Sequence, residues 1–347
     1  MSKYLHCEKA FDYTYSQGLE PLVSDSRPTI GSAVHFAVGM AILTGGDEAQ
    51  LAEYLKVWEA EENAKYKSLP AAVAEGIAEE LHSYVSDALF IAIRTVDSLR
   101  LEDWQTISLA GEPMVEWEFE REVPGVGIFT GAIDWVAWHN PTQTGWLMDH
   151  KIRATITNAM AEDYNIQMAV YQDVLQEEHG IPLAGSLTNQ ISSKIPKWPQ
   201  LTKAGAMSRA AISTDWATYR AALIEAGLNP DDYADMQEKL LGKVFYDHTR
   251  YYRSRTHVRN VWNHIFVPAA KRMRAHLESP PEHPLRNMNS FSCRGCGFSD
   301  LCLAELRGDD TEYLRLGRFR RRDTSRLDDL TNASNSVLDT EDSGVVS

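Results

Sequence analysis

Hydrophobic and polar positions follow two different periods along the chain, and the switches between them mark its elements. Residues 128–138 and 145–151 are apolar, β-branched and aromatic runs. Between them lies His139-Asn140-Pro141-Thr142-Gln143-Thr144, a turn-forming hexapeptide, so 127–151 is expected to fold as a β-hairpin. Met114 to Val123 alternates polar and apolar, as a strand with one exposed face does, and a further strand is expected over 183–193. Helical spacing takes over elsewhere. Ile166, Ala169, Val170, Val174 and Leu175 recur at helical intervals within 157–178, and aromatic positions do so over 4–15. Helices are also expected from near Gly31, over the acidic stretch 47–101, over 215–226 and over 233–276. Elements in this order predict an α/β fold with a central mixed β-sheet flanked by helices.

The hairpin carries a candidate chemistry. Strand side chains alternate between faces, so Asp149 and Lys151 share one, and Asp134 on the partner strand faces them if the register is right. Two carboxylates and an ammonium around one point suit a hard ion such as Mg2+ or Mn2+, which keeps waters that can serve as nucleophiles. Lys151 would orient the attacking water or stabilise charge developing on a phosphate. The plain alternative is a surface hairpin whose polar positions face water, but Asp and Lys are costly in a partly buried strand. On the helix that follows, Gln167 and Tyr171 stand one turn apart on a shared face.

Composition bounds the setting. At 347 residues, 44% hydrophobic and 24% charged, the chain is long enough for a substantial core in one elaborated domain or two. It has no run of about 18 apolar residues, and its first residues contain no apolar secretory core, so a soluble, cytoplasmic protein with no membrane partner is expected. The formal net charge of -15 argues against a uniformly basic coat for nucleic acid. Much of it falls in 47–101, expected as a solvated helical insertion, which leaves local basic tracks elsewhere. Lys194, Lys197, Lys203 and Arg209 around Trp198 form one candidate track for a single strand. Arg250, Arg253, Arg255, Arg259, Lys271, Arg272 and Arg274, interleaved with Tyr251, Tyr252 and Trp262, form a second. No G-x-x-x-x-G-K-[ST] motif is present, so the chain carries no helicase motor. Arg315 to Arg326 leads into a polar tail, 327–347, expected to be disordered.

Four cysteines are unevenly placed: Cys7 stands near the start, and Cys293, Cys296 and Cys302 form C-x2-C-x5-C near the end. In a reducing compartment this is a metal-ligand pattern before it is a disulfide framework. Spacing alone does not separate zinc from an iron-sulfur cluster.

The succession Gly131-x-x-Asp134, Asp149-x-Lys151, Gln167-x-x-x-Tyr171 resembles the PD-(D/E)XK nuclease superfamily, in particular its RecB-like branch. The resemblance implies a restriction-endonuclease-like core with Asp134, Asp149, Lys151, Gln167 and Tyr171 as catalytic residues. It implies Mg2+ or Mn2+ bound by His35, within Gly31-x-x-x-His35, by Asp134, by Asp149 and by the main-chain carbonyl of His150. Asp149 stands where Glu is commoner, which shortens that ligand by one methylene. Bacterial AddB-type helicase-nuclease subunits, CRISPR-associated adaptation nucleases and eukaryotic exonuclease V are similar in having one cysteine before these motifs and three after. The resemblance therefore implies a [4Fe-4S] cluster on Cys7, Cys293, Cys296 and Cys302, clasping the chain ends.

It further implies an exonuclease acting on single-stranded DNA ends, 5′ to 3′, in replication, recombination or repair, with a helicase or recombination partner. Residues 183–213 look like those of phage-encoded members, which would place the protein in a host cytoplasm. The expected organisation is an N-terminal segment 1–30 with the first cysteine, a helical region 31–110 with the acidic insertion, a nuclease core with DNA-binding helices 111–275, a three-cysteine segment 276–307 and a tail 308–347. Glu116 and Glu118 are expected to face outward from their strand rather than approach the ion. His248, His257 and His264 have no ligand spacing. Two other classes compete: a catalytically idle nuclease fold that grips DNA or a helicase, and a zinc-binding structural protein. Intact Asp134, Asp149 and Lys151 weigh against the idle fold, since binding alone requires none of them.

Overall fold

The computed structural model describes residues 2–22, 29–67, 71–154, 156, 165–241 and 245–321. The chain divides into two compact units, one formed by Pro28–Glu118 and Ala132–Val258, the other by Met1–Arg27, Phe119–Gly131 and Arg259–Ser347.

The first of these opens with α1 (Ile30–Leu43). The Thr29 hydroxyl accepts from the Ser32 amide and the Ser32 hydroxyl from the Thr29 amide, a reciprocal cap that satisfies donors the helix cannot pair itself. Almost every residue of IGSAVHFAVGMAIL is small or apolar, and Ala33, Val34, Ala37, Val38 and Ala41 are fully enclosed. Such a helix needs a roof. α2 (Glu48–Ala64) supplies Leu51, Leu55 and Trp58, and the 31-residue α3 (Ala71–Leu101) supplies Ile77, Leu81, Ile91 and Val96. These acidic helices are therefore more than the solvated insertion expected from their glutamates, because an apolar stripe on each joins the main core.

The sheet comprises β1 (Trp104–Thr106), β2 (Val115–Val123), β3 (Gly127–His139), β4 (Thr144–Arg153), β5 (Leu183–Ser192) and β6 (Tyr246–Tyr252). Its order is β1-β3-β4-β5-β6, with β2 also paired to β3. β3 and β4 are the antiparallel arms of the expected hairpin, with Trp135 opposite Met148 and His139 opposite Thr144, so the turn is shorter than the hexapeptide suggested. β4 and β5 are parallel because α4 (Ile166–Glu178) lies between them in the chain and makes the crossover such pairing requires. β6 returns antiparallel to β5. The result is a mixed sheet flanked by helices, consistent with a restriction-endonuclease-like core. α4 packs on β4 and β5, while Ile152 of β4 and Ile191 of β5 join the core under α1 to α3.

One expectation fails. The stretch 233–276 is not continuously helical, because β6 interrupts it; the threonine and tyrosines of YDHTRYY favour a pleated edge over a helix. Helix resumes at Arg255.

The second unit joins the two ends of the described chain. Its N-terminal segment is not one helix over 4–15 but breaks at Cys7 into Ser2–His6 and Glu8–Phe11, followed by a π-turn over Asp12–Ser16. Leu19–Pro21 pairs antiparallel with Phe319–Arg321. Tyr13, Phe298 and Phe319 stack in series, with ring centroids 5.2 and 5.5 Å apart, and Ala10 and Leu301 complete the cluster. Residues 23–28, the start of the helical stretch 157–178 and everything beyond 321 lie outside the described residues. No helix among the described residues is long and apolar enough to cross a membrane.

Gly185 of β5 tests the sheet. A Cβ there would lie 1.9 Å from the Tyr251 carbonyl oxygen of β6, a backbone atom that cannot move aside alone. Gly185→Ala is expected to destabilise the protein by about 3 kcal/mol, read as an earlier midpoint in thermal unfolding. A midpoint equal to wild type would refute the β5–β6 pairing.

Candidate active site

The site is assembled from a helix and three strands. Asp149 and Lys151 share a face of β4, and the Lys151 ammonium donates to Asp149 Oδ1 at 2.7 Å. The Asp149 side chain is only 4% exposed and that of Lys151 35%, so the lysine stands between a nearly buried carboxylate and water. The β3–β4 ladder ends at Trp135 and Met148, one residue short of Asp134 and Asp149, and the link between the strands beyond it is made by the Asp134 side chain. Asp134 Oδ2 accepts from the His150 amide at 2.7 Å and lies 3.0 Å from His35 Nε2. His35 comes from α1, and its Nδ1 lies 3.3 Å from Oε1 of Glu116 on β2. Ligand atoms of His35, Glu116 and Asp134 all lie within 4.8 Å of one another. Imidazole and carboxylates so grouped could hold a divalent ion.

The electrostatics of the group follow from its burial. Burial alone would raise the Asp134 pKa, but the His35 hydrogen bond and the neighbouring histidines overcome it and hold the carboxyl below its ordinary range. The Asp134 hydrogen bond conversely raises His35, against the effect of burial. Burial pushes Glu116 up to about 7, with the Asp134 charge adding to the effect and His35 opposing it. The charge of Asp149 also reaches His35, which places all three carboxylates in one field. The His150 ring lies fully buried beside Asn189, with 3.0 Å between His150 Nδ1 and Asn189 Nδ2, and burial lowers its pKa to about 4. It is neutral, and the part of His150 that meets the site is its main chain.

On α4, which starts where the Asn165 side chain accepts the Met168 amide, Tyr171 shares hydrogen bonds with the Gln167 side chain and with the Ala132 main chain. Tyr171 thus ties the helix to β3 two residues before Asp134. Burial raises its pKa, and both Asp134 and Asp149 add to the shift.

The cysteines belong to the other unit. Cys7, Cys293, Cys296 and Cys302, separated by up to 295 positions in sequence, line one cavity of ≈ 340 Å³. Burial raises the pKa of Cys296, an effect the Phe298 amide offsets in part and the other three thiols reinforce. The Arg286 guanidinium hydrogen-bonds Cys302. Among the described residues no three of these sulfurs lie within 4.8 Å of one another.

Of the two basic tracks, Lys194, Lys197, Trp198 and Lys203 are exposed, whereas Arg209 donates to the Asp232 carbonyl. The second track is largely engaged within the protein: Arg250 with Glu102, Arg253 with Ser186, Arg255 with Glu177 and Arg274 with Glu278.

Glu116 is the site residue that sequence reasoning set aside. Strict alternation puts it on the outer face with Glu118 and Glu120, both of which are exposed. Its backbone breaks that rule: φ is 48°, in the left-handed region, which turns the side chain inward. The available signal was glycine spacing on α1, where Gly31, His35 and Gly39 recur every four residues on one face.

A mixed sheet whose hairpin presents Asp, Asp and Lys to a histidine on a covering helix is the construction of a nuclease of the restriction-endonuclease type. The family model of the PD-(D/E)XK nuclease superfamily matches residues 1–303, and the chain belongs to that superfamily. No curated protein matches it.

Divalent-ion binding should depend on pH with a definite sign. Glu116 is protonated below about 7 and His35 has a raised pKa, so both take up protons as pH falls and both then disfavour a cation. Mn2+ affinity, measured calorimetrically, is expected to fall at least about tenfold from about pH 8 to about pH 5.5. Constant affinity over that range would remove these residues from the ion's surroundings.

Proposed function

We propose that the chain is a Mg2+- or Mn2+-dependent deoxyribonuclease that degrades single-stranded DNA from its ends, 5′ to 3′, during replication, recombination or repair. The observation that carries this is the 2.7 Å contact between Lys151 and a nearly buried Asp149, on the strand whose His150 amide holds Asp134 beside His35. Structural stability alone gives no reason to remove this set of charges from water. His35, Asp134, Asp149 and the main-chain carbonyl of His150 would hold the ion, which when bound supplies Lewis acidity and a water more readily deprotonated. Lys151, fixed by Asp149, positions the attacking water and stabilises negative charge on the phosphate as the ester P–O bond breaks. Tyr171 and Gln167 hold α4 against β3 and orient the strand at the site. The exposed lysines around Trp198 favour a single-stranded substrate, since the indole offers a stacking face and the ammonium groups meet phosphates. The resemblance to the RecB-like branch implies the polarity and the helicase or recombination partner, in a cytoplasm that for a phage-encoded protein is the host's.

The resemblance to the RecB-like branch points to a [4Fe-4S] cluster on the four cysteines, which line one cavity. The cluster would cross-link the helix break at Cys7 to the C-terminal segment.

Anaerobically purified protein is expected to degrade end-labelled single-stranded DNA with Mg2+ or Mn2+. Asp149→Ala and Lys151→Ala should each lose about 10²–10³-fold or more in rate with folding and visible absorbance unchanged. Full visible absorbance and tight DNA binding without cleavage of single strands, duplexes or circles would instead indicate an idle nuclease fold. Cys296→Ser is expected to lose the visible absorbance and to unfold at lower temperature. A colourless wild-type protein that contains zinc would overturn the cluster.

A further inference from the structure

His35 stands between two carboxylates, and one imidazole can give only one nitrogen to a given ion. Nε2 lies 3.0 Å from Asp134 Oδ2 and Nδ1 lies 3.3 Å from Glu116 Oε1. The two nitrogens point to different edges of the ring, so an ion shared with Asp134 takes Nε2 and leaves a proton on Nδ1. We propose that Glu116 is the carboxylate that orients His35, accepting the Nδ1–H and so presenting Nε2 to the ion without being a ligand itself. The proposal rests on the nuclease reading of the site, and it makes Glu116 a positioning residue rather than a catalytic one.

Three features of the chain converge on this contact. Glu116 Oε1 is buried, and at 3.3 Å the Nδ1 contact is an ion pair not aligned as a hydrogen bond, so a carboxylate oxygen is held out of water with that imidazole edge in reach. A small rotation of the ring, which needs no bound ion, aligns the Nδ1–H with that oxygen. Next, the left-handed backbone at Glu116 is unfavourable for a residue with a side chain, and its effect is to turn this glutamate inward while Glu118 and Glu120 stay exposed. Finally, Gly39 makes the room. A Cβ there would lie 3.0 Å from Glu116 Cγ and 3.2 Å from Oε1. Gly39 is one turn beyond His35 on the same helical face, so α1 supplies both the imidazole and the space for the carboxylate behind it. Carboxylate–imidazole–ion arrangements of this kind set the tautomer and raise the basicity of the ligating nitrogen.

The test uses the full-length, metal-free protein and Mn2+. By calorimetry Glu116→Ala is expected to bind Mn2+ about 10- to 100-fold more weakly with unchanged stoichiometry. Glu116→Gln, whose amide oxygen can still accept, should recover most of that loss. Gly39→Ala should weaken binding in the same direction with Glu116 still present. In long-range 1H–15N spectra without metal, His35 should show a protected Nδ1–H in wild type and in Glu116→Gln, lost in Glu116→Ala. If Glu116→Gln abolishes Mn2+ binding as fully as Asp134→Asn, Glu116 is a ligand and the proposal falls. If neither Glu116 variant changes Mn2+ affinity or the His35 spectrum, the contact has no orienting role and the proposal falls equally. Failure of wild type to bind Mn2+ would count against the nuclease reading, and the His35 spectra would then decide the orienting contact alone.

Discussion

The amide of His150 holds Asp134 at 2.7 Å, and the site depends on that bond. It joins the two arms of the hairpin one residue past their last ladder pair, Trp135 and Met148, and so holds Asp134 to the strand that carries Asp149 and Lys151. A slip of one residue would carry Asp134 to the other face of the sheet and leave a carboxylate among the apolar residues around Trp135 and Met148. The same bond helps keep Asp134 ionised despite its burial, and an ionised Asp134 is what raises the proton affinity of His35. Register, charge and the seating of the histidine thus meet at Asp134, whose charge owes most to His35 and in part to that main-chain donor.

The opposing constraint comes from α1. Its sequence is so apolar that α2 and α3 must enclose it, yet it also has to carry His35 to a group of carboxylates. Small residues reconcile the two demands. Alanines and Gly39 let the helix lie close, and the space that a Cβ would take at Gly39 is filled by the Glu116 side chain. Close packing and a polar site therefore use the same helix, with the core on one side of it and the charges along another.

Much of this was legible in the sequence, for identifiable reasons. Asp149 and Lys151 are two apart in an apolar run, and a period of two fixes their common face without any knowledge of the fold. Asp134 required only that the two runs pair as a hairpin. The cysteines could be grouped by count and spacing, although the cavity they line could not. Glu116 was hidden because the rule that locates the other acids misplaces it: alternation points it outward, and only the left-handed backbone at that residue brings it in. β6 was misread because arginines and tyrosines at close intervals look like a basic helix until the strand-forming preference of YDHTRYY is weighed. The basic residues there pair with Glu102, Ser186 and Glu177, which are remote in sequence, so no local pattern could show that they are already engaged.

The cysteine-bearing end of the second unit obeys a different economy of structure. Its cluster of Ala10, Tyr13, Phe298, Leu301 and Phe319 is small, and two strands of three residues each pair its ends. A core of that size gives limited stability by burial alone, and regions of this kind in other small folds are held by cross-links or metals. Cys7 sits where the first helix breaks and Cys302 on the helix that carries Leu301, so a group bound by all four sulfurs would join these two segments. Arg286 and Arg315 both reach Glu305, and Arg286 also reaches Cys302, so the polar side of this region is already organised around the sulfurs. Binding there and folding of the two chain ends would then be one equilibrium, because ligands this far apart in sequence converge only when the fold has formed.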